Sequence, residues 1–348
     1  MSVAHARVER LRERLEEPYL VTGAVDVLYL TGFRSSNAAL LVDGERVRLF
    51  ADFRYAEAAG AVEGVEFVET RRSLLADLGE RLDGPIAFDA DAVSYSGWQA
   101  LAEHGLELVP RPGLVAQLRA IKDEEEVDRI ARAARAAEHA LEALVREPWV
   151  GRSERELAWR LRELMHANGA EDASFETIVA AGPNGAKPHG RPTDRLVGRD
   201  ELVVVDFGVV VEGYCSDCTR TFSTGRLPTE LRRAYDVCRE AQQAALDGIR
   251  AGMSGVDADR IARSVIEGAG LGEAFGHGLG HGVGLEVHEA PTLSTLSTDT
   301  LEQGNVVTVE PGIYLTGLGG VRIEDLCVVG SAGLEPLTAF RKELVEVD

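Results

Sequence analysis

Apolar and polar positions in the first third of the chain follow short alternating patterns that predict a small α/β domain. The Asp43-Gly44 pair lies between two apolar runs and indicates the turn of a hairpin over residues 38–52. Further strand-like runs lie at residues 18–23 and 85–88, and helical stretches lie at residues 1–17, 54–62 and 74–82.

A change of pattern near residue 110 marks the boundary between two domains. A Pro-Arg-Pro-Gly turn cluster ends the first pattern at residues 110–113, and a long helical pattern begins after Asp123. Asp123 and Glu126 have the spacing of a capping box, which predicts that the helix starts there. We therefore expect a first domain at residues 1–118 and a second at residues 119–348.

The second domain alternates helices with strands. Its apolar positions recur at helical spacing in three further segments, and β-rich runs lie between and after them. The predicted helices cover residues 153–168, 229–251 and 256–267, and the predicted strands cover residues 173–182, 305–310 and 321–329. The amphipathic helices are expected to cover a sheet.

A predicted hairpin over residues 200–222 brings acidic residues into an apolar strand. If Glu212-Gly213 forms the turn, Asp206 lies opposite Thr219 and Asp217 is a diagonal neighbour on the same face. Diagonal side chains lie about 7 Å apart, which suits a bridge of two ions better than direct contact. An ionised Asp is costly to bury, so Asp206 requires a cation unless a bulge exposes it to water.

The segment at residues 275–291, FGHGLGHGVGLEVHEAP, places three histidines among glycines. These are His277, His281 and His288, and glycine permits close approach of the backbone around a polar site. They do not form a zincin HExxH motif, because Gly278 follows His277 where that motif has Glu. A fourth histidine, His189, lies in a loop rich in Gly and Pro, where binding residues are frequent.

Composition excludes several classes of protein. The formal net charge is -21, which opposes binding to nucleic acid, and no apolar run of about 18 residues predicts a membrane span. The charged N-terminus lacks the apolar core of a secretory signal, so we expect a cytoplasmic protein. Cys215 and Cys218 have CxxC spacing, which is open to zinc or redox chemistry, but a structural role is favoured because no second pair completes a zinc set.

Four acidic residues in or beside apolar strands, together with one histidine, predict a metal site. Such an oxygen-rich set with one imidazole suits Mn²⁺, Co²⁺ or Zn²⁺. Two dications would balance four carboxylates, which makes burial of the charges tolerable, and two adjacent metals can activate a shared water and polarise a carbonyl. The acidic residues are Asp206, Asp217, Glu310 and Glu324.

The chain resembles the M24 metallopeptidases, which have the pita-bread fold. Asp206 in VVVDFG, Asp217 in CSDCTRTF, His281 in GHGVGLEVHE, Glu310 in TVEPGIY and Glu324 in VRIEDL match the family's five metal ligands in order. VLYLTGF and the hairpin after it resemble a creatinase-type N-terminal domain. The implied fold class is α+β, with a creatinase-like α/β domain followed by a pita-bread catalytic domain.

The resemblance implies a role for each ligand. Asp206 would chelate one metal ion, Asp217 and Glu324 would bridge two ions, and His281 and Glu310 would complete the other shell. Glu310 would also shuttle the proton of a hydroxide that bridges the metals. Manganese is the expected metal, with cobalt or zinc as alternatives.

The resemblance also implies roles for residues beside the metal. His189 and His288 match substrate-facing histidines that hold the carbonyl oxygen and stabilise the tetrahedral intermediate. His277 matches a further site histidine of the proline-specific members. Arg322 matches an arginine beside the last ligand, on the substrate side of the site, and is expected to orient the ligand carboxylates.

The implied activity is hydrolysis of the peptide bond before proline. We expect an Xaa-Pro dipeptidase (prolidase) that acts on dipeptides, with an Xaa-Pro aminopeptidase acting on longer peptides as the alternative. A dipeptidase must bind the terminal carboxylate, and some prolidases carry an Arg soon after the HE-P motif, where this chain has Thr292, Leu293 and Ser294. A remote alternative is a non-catalytic peptide-binding module, which would require broken metal ligands. The resemblance further implies a homodimer.

Overall fold

The computed structural model describes residues 3–348, and the chain divides into two compact units, Met1–Arg119 and Ala120–Asp348. The predicted N-terminal helix extends over Val3–Arg12, and its first two predicted residues lie outside the described part of the chain. None of the helices within residues 3–348 has both the length and the apolar character needed to cross a bilayer.

The first unit is built around a mixed six-stranded sheet in the order β4-β3-β2-β1-β5-β6. The predicted hairpin is present, with β2 and β3 antiparallel and Val42 opposite Val47. Its turn is stabilised by the Asp43 carboxylate, which accepts hydrogen bonds from the backbone N of Glu45 and Arg46 at 2.9 and 2.7 Å. The elements are α1 Val3–Arg12, β1 Tyr19–Val21, α2 Ala24–Thr31, β2 Ala38–Val42, β3 Val47–Asp52, α3 Ala56–Gly60, β4 Glu66–Thr70, α4 Leu74–Arg81, β5 Pro85–Phe88, α5 Tyr95–Ala102, β6 Glu107–Pro110 and α6 Leu114–Ala120.

The second unit contains a four-stranded sheet, a five-stranded sheet and two smaller ones. The larger sheets have the strand orders β20-β12-β9-β8 and β14-β13-β15-β18-β19. Its elements are α7 Glu124–Leu144, α8 Glu154–Ala167, β7 Asp172–Ala173, β8 Ile178–Ala181, β9 Leu202–Phe207, β10 Val209–Val211, β11 Tyr214–Cys215, β12 Cys218–Ser223, α9 Thr229–Gly248, α10 Gly255–Gly268, β13 Gly280–Gly282, β14 Glu289–Leu293, β15 Val306–Val309, β16 Gly312–Leu315, β17 Gly319–Arg322, β18 Asp325–Val329, β19 Leu334–Pro336 and β20 Val345–Glu346.

Two apolar cores of similar design hold this unit together. In the first core, α7 and α8 place residues such as Leu141 and Leu161 against Val205 of the four-stranded sheet. In the second, α9 and α10 place residues such as Ala241 and Ile266 against the strands that follow them in the chain. Each core is a pair of amphipathic helices packed on antiparallel strands, which confirms the expectation that these helices cover a sheet.

The helix starts predicted from the sequence are confirmed. Asp123 caps α7 and Ser153 caps α8, and each forms a complete capping box with a Glu three residues later. These caps satisfy backbone N–H groups that have no partner within the helix. The sequence pattern thus determines where both helices begin.

The register of the acidic hairpin is also confirmed. Strands β9 and β12 pair antiparallel with Asp206 opposite Thr219, and β10 and β11 pair across the turn with Val211 opposite Tyr214. Asp206 lies inside an apolar strand, and Asp217 directly precedes β12. The local pattern therefore fixes the spacing of these two carboxylates.

Two strand predictions are wrong in extent. The single strand expected at residues 321–329 is two strands, β17 and β18, separated by Ile323 and Glu324. The first pairs with β16 and the second with β15 and β19, so the chain changes sheets at Glu324. The strand expected at residues 173–182 is likewise interrupted, because β7 ends at Ala173 and β8 begins only at Ile178.

The four cysteines are buried, free thiols. Cys215 and Cys218 lie on β11 and β12, within the predicted hairpin. Burial raises the pKa of the Cys218 thiol well above its ordinary value. A protonated, buried thiol behaves as a small apolar side chain.

Candidate metal centre and substrate pocket

The second unit contains a pocket of about 400 Å³ that brings the predicted site residues together. Its walls also include apolar side chains such as Phe175, Ile178 and Pro192, which the sequence analysis did not identify. They lie near the glycine- and proline-rich loop, but nothing in their local pattern separates them from ordinary core residues. The predicted residues that line the pocket are Asp206, Asp217, His281, Glu310, Glu324, His189, His277, His288 and Arg322.

Each acidic side chain is positioned by the end of a strand or by a break in one. Asp206 is the penultimate residue of β9, Asp217 precedes β12, Glu310 follows β15, and Glu324 lies in the break between β17 and β18. The Thr219 hydroxyl joins the two sheets by donating to Oε2 of Glu324 at 2.7 Å. Residues distant in the sequence therefore converge because strands of different sheets meet here.

His281 is oriented by contacts on both sides of its ring. Its Nδ1 lies 3.1 Å from the carbonyl oxygen of Gly282, and its Nε2 lies 3.3 Å from Oε1 of Glu310 and 3.6 Å from Oδ2 of Asp217. An Nδ1–H that donates to the carbonyl would leave the Nε2 lone pair directed at the carboxylates. This is the arrangement expected of a histidine that binds a metal through Nε2.

Glycines bring the strand of His281 close to its neighbours. A Cβ added at Gly280 would meet the carbonyl oxygen of Thr308 at 2.0 Å, and one added at Gly282 would meet that of Ala290 at 2.2 Å. Residues other than glycine cannot occupy these positions without moving the backbone. The expected close backbone approach is therefore present beside the histidine.

The donor set fits a divalent metal ion. Ligand atoms of Asp217, His281 and Glu324 all lie within 4.8 Å of one another. Oδ1 of Asp206 and Oε1 of Glu324 are buried and have no hydrogen-bond partner among residues 3–348. Buried carboxylate oxygens are normally paired, so these two are suited to coordinate a cation.

The pKa shifts of three carboxylates also indicate a binding site for a cation. Burial, followed by repulsion from neighbouring carboxylates, raises the pKa of Asp217 and Glu324 well above their ordinary values. Burial also raises the pKa of Asp206, although Arg322 opposes the shift. A bound dication would remove the penalty on the ionised forms.

Glu310 differs from the other three carboxylates. Burial tends to raise its pKa, but the adjacent His281 and Arg322 more than offset this effect, so the pKa falls to about 2. Burial tends to lower the pKa of His281, and the Glu310 carboxylate raises it above its ordinary value. Glu310 is therefore ionised and able to accept a proton at neutral pH.

Arg322 holds the Asp206 carboxylate from the last position of β17. Its Nη2 donates to Oδ2 of Asp206, its Nε donates to the Thr219 hydroxyl at 2.9 Å, and its Nη1 donates to the Tyr314 hydroxyl at 3.0 Å. Nη1 also donates to the carbonyl oxygen of Pro188 at 3.0 Å. These bonds orient one carboxylate and connect it to the loop that carries His189.

The other three histidines surround the carboxylates. His277 lies 3.0 Å through Nε2 from the hydroxyl of Tyr314, and the rings of His281 and His288 are 4.4 Å apart between centroids. Burial lowers the pKa of His277 and of His288, which favours their neutral forms. Tyr314 was not identified from the sequence, although its position in TVEPGIY, close to Glu310, is a usable signal.

The family follows from comparison with known proteins. Residues 128–331 match the model of metallopeptidase family M24, and residues 7–121 match the creatinase/prolidase N-terminal domain. The chain belongs to metallopeptidase family M24. It is 34% identical over 347 residues to the Xaa-Pro dipeptidase of Pyrococcus furiosus, with 97% of this chain and 99% of that protein covered.

Solved structures of M24 relatives agree with the fold. An Xaa-Pro dipeptidase from Bacillus anthracis has a TM-score of 0.95 at 37% identity, with 99% of this chain and 100% of that chain covered. An X-Pro aminopeptidase from Thermotoga maritima has a TM-score of 0.89 at 34% identity, with 98% and 100% covered. The predicted family and fold class are confirmed: a creatinase-type domain precedes a pita-bread domain.

The protein is thus a prolidase-like M24 metallopeptidase, and the prediction that it is an enzyme is confirmed. Members of this family use divalent metal ions, and the cluster of Asp217, His281 and Glu324 is a possible binding site for one. Among these relatives are both a dipeptidase and an aminopeptidase, so their names leave the substrate length open.

Proposed function

We propose that the protein hydrolyses the peptide bond before proline in Xaa-Pro dipeptides, using two divalent metal ions. The observation that supports this most is the convergence of all nine predicted site residues on one pocket in which two buried carboxylate oxygens have no partner among the described residues. The pocket, at about 400 Å³, lies toward the small end of the range of roughly 300–1,000 Å³ for ligand sites and suits a dipeptide.

The proposed ligands form binding sites for two adjacent metal ions. Asp206 would hold one ion, His281 and Glu310 would hold the other, and Asp217 and Glu324 would be shared between the two. When bound, the ions supply Lewis acidity toward a water molecule and the scissile carbonyl. Manganese is the proposed metal, with cobalt and zinc as alternatives, because oxygen ligands with one imidazole suit all three.

Glu310 is the proposed proton shuttle. Its carboxylate is ionised at neutral pH and can accept a proton from the attacking water, which it then returns to the leaving prolyl nitrogen. Thr308 steadies the group, because its hydroxyl donates to Oε1 of Glu310 at 3.1 Å. The same hydroxyl accepts from the backbone N of His281 at 3.0 Å, so proton shuttle and ligand share one support.

The histidines and Arg322 serve the substrate and the carboxylates. His189 and His288 hold the carbonyl oxygen and stabilise the negative charge that develops on it. His277, braced by Tyr314, completes the substrate side of the pocket. Arg322 keeps Asp206 in position and, through the Pro188 carbonyl, fixes the start of the His189 loop.

The experiment that tests this proposal measures hydrolysis of Ala-Pro, Ala-Pro-Ala and Ala-Ala after chelation and after adding Mn²⁺, Co²⁺ or Zn²⁺. We expect cleavage of Ala-Pro that disappears on chelation and returns with metal, and no cleavage of Ala-Ala. Metal analysis of the active protein should give two ions per chain. Binding of proline peptides without hydrolysis under any of these metals would instead indicate the non-catalytic module.

An Xaa-Pro aminopeptidase is the second candidate. The similarity to the Thermotoga maritima X-Pro aminopeptidase structure and the Thr292-Leu293-Ser294 sequence after the HE-P motif favour it. Cleavage of Ala-Pro-Ala but not Ala-Pro would decide for this candidate.

The remaining parts of the proposal are a homodimer in the cytoplasm and a domain boundary between residues 118 and 119. Sedimentation measures the oligomeric state, and limited proteolysis locates the domain boundary.

A further inference from the structure

The proposed dipeptide substrate carries a carboxylate that the residues discussed so far leave unbound. An Xaa-Pro dipeptide ends in the carboxylate of its proline, only three bonds from the scissile carbonyl carbon. A cation near that position can discriminate a dipeptide from a longer peptide, because only the dipeptide places a carboxylate there. The positions after Pro291 supply none, because they hold Thr292, Leu293 and Ser294.

Two arginines line the pocket among the described residues, and only one of them is available. Arg322 is 4% exposed, and four of its five N–H donors are taken by Asp206, Thr219, Tyr314 and Pro188. The Arg191 side chain is 83% exposed and forms one ion pair, with Nε 3.3 Å from Oε2 of Glu176. Its two terminal nitrogens have no hydrogen-bond partner within residues 3–348.

The ion pair with Glu176 does not prevent Arg191 from binding a ligand. The Glu176 side chain is 64% exposed, and exposed ion pairs contribute little free energy. A substrate carboxylate can accept two parallel hydrogen bonds from a guanidinium, which is stronger than the single contact present here. Arg191 is therefore poised to accept a carboxylate ligand at the cost of a weak surface contact.

Arg191 lies close to the residue that is proposed to hold the scissile carbonyl. It lies two residues after His189, which is proposed to hold the scissile carbonyl oxygen, so the two Cα atoms are at most about 7 Å apart. Pro192 follows it and lines the same pocket with Phe175 and Ile178, which offer an apolar surface for the proline ring. The same pocket therefore offers a candidate partner for the carbonyl, the ring and the carboxylate of the substrate.

The loop that carries both residues is held by a buried acid, Glu154. Its Oε1 accepts from the backbone N of Ala181 at 2.7 Å, and its Oε2 accepts from the backbone N and hydroxyl of Thr193 at 2.9 and 2.6 Å. Oε2 also accepts from Nδ2 of Asn184 at 2.8 Å, and that nitrogen donates to the carbonyl oxygen of Arg191 at 3.0 Å. The backbone of Arg191 is therefore fixed before substrate arrives, which limits the entropy lost on binding.

We propose that Arg191 binds the C-terminal carboxylate of the substrate and thereby selects dipeptides over longer Xaa-Pro peptides. This inference rests on the proposed Xaa-Pro hydrolysis. The loop after β8, which carries Arg191, would then determine the specificity for dipeptides. In some prolidases an arginine after the HE-P motif occupies that role. Because the contact is made to a group that does not react, it contributes mainly to substrate binding.

The test compares Ala-Pro with Ala-Pro amide, which lacks the carboxylate, using the metal-loaded full chain. We expect Arg191→Ala to raise KM for Ala-Pro at least about tenfold, the loss typical of a charged hydrogen bond, with kcat changed less than about twofold. Kinetic constants for the amide should stay within about twofold of the wild type. Arg191→Lys retains the charge without the planar fork and should give an intermediate KM for Ala-Pro.

The matched control is Arg199→Ala, which removes another exposed arginine, one that pairs with Asp348 at 3.5 Å and does not line the pocket. It should leave both substrates unaffected. Equal losses on dipeptide and amide, or no loss on either, in Arg191→Ala would overturn the inference while the proposed function stands. A wild type that cleaves neither substrate would overturn the proposed function and the inference together.

Discussion

Nε2 of His281 lies 3.3 Å from Oε1 of Glu310, across the pairing of β13 with β15. The two groups shift each other in opposite directions: the pKa of Glu310 falls to about 2, and that of His281 rises above its ordinary value. A metal ion that binds both groups would compete with a proton for the imidazole nitrogen. The proposed proton shuttle and the proposed metal ligand are thus electrostatically coupled.

Glu310→Gln should lower kcat/KM for Ala-Pro by at least about a hundredfold, because an amide cannot accept a proton from water. The side chain keeps its size, but the variant loses the ionised carboxylate that His281 and Arg322 stabilise, so the thermal midpoint of the metal-free protein should also fall at neutral pH. Steady-state kinetics and thermal unfolding measure the two effects. Glu302→Gln, at an exposed position, is the control and should retain full activity. Comparable activity of the two variants would contradict the assigned role.

Stabilisation by metal should increase as the pH rises from about 5 to about 7.5. The raised pKa values of Asp206, Asp217 and Glu324 show that the metal-free fold disfavours their ionised forms. These groups therefore stabilise the metal-free fold at low pH, and this stabilisation is lost as the pH rises above their pKa values in the unfolded chain. The raised pKa of His281 acts in the same direction. Glu310 is ionised throughout this range and therefore does not contribute to the change of stability with pH.

Thermal unfolding with chelator and with excess Mn²⁺ at the two pH values measures this linkage. A hundredfold excess over the dissociation constant stabilises by about 2.7 kcal/mol, and the constant itself should fall at the higher pH. The difference in midpoint between metal-bound and metal-free protein should therefore be larger at pH 7.5. An equal difference at both pH values would show that these carboxylates do not bind the ion.

Asp325→Asn should destabilise the fold by about 3–5 kcal/mol at neutral pH, the cost of breaking a buried ion pair. Asp325 accepts hydrogen bonds from Arg220, Gln242, Thr338 and Lys342 at 2.7 to 3.0 Å. Burial tends to raise its pKa, and Arg220 with Lys342 lowers it below its ordinary value. This contribution is therefore complete above the unfolded pKa of about 3.9 and is lost as pH falls through the folded value.

Urea unfolding at pH 7 and at about pH 3, below the unfolded pKa, measures the effect, which should shrink at the lower pH. Asp236→Asn is the matched control, since Asp236 forms an exposed pair with Arg232 at 3.0 Å and its loss should cost less than about 0.5 kcal/mol. A cost for Asp325→Asn no greater than for Asp236→Asn would refute the role assigned to the buried network.

Short sequence patterns for turns and helix caps predicted much of the secondary structure of the second unit. The turn at Glu212-Gly213 fixed the register of the acidic hairpin, because antiparallel pairing from a tight turn leaves one partner for Asp206. The capping boxes fixed the starts of α7 and α8 for a similar reason. The prediction failed at residues 321–329, where the backbone N of Glu324 donates to the Thr219 carbonyl and the strand changes sheets. Such a non-local bond leaves no periodic trace in the sequence.

The sequence by itself determined the elements, the acidic residues in apolar strands, and the family, because each depends on residue types at short spacing or in ordered motifs. Only the tertiary structure decided which groups face one another. It placed Arg191 and the apolar wall in the pocket, tied their loop to Glu154, and braced His277 with Tyr314. These contacts join strands and loops that are distant in the chain. They form because the two apolar cores of the second unit fix the positions of those strands and loops.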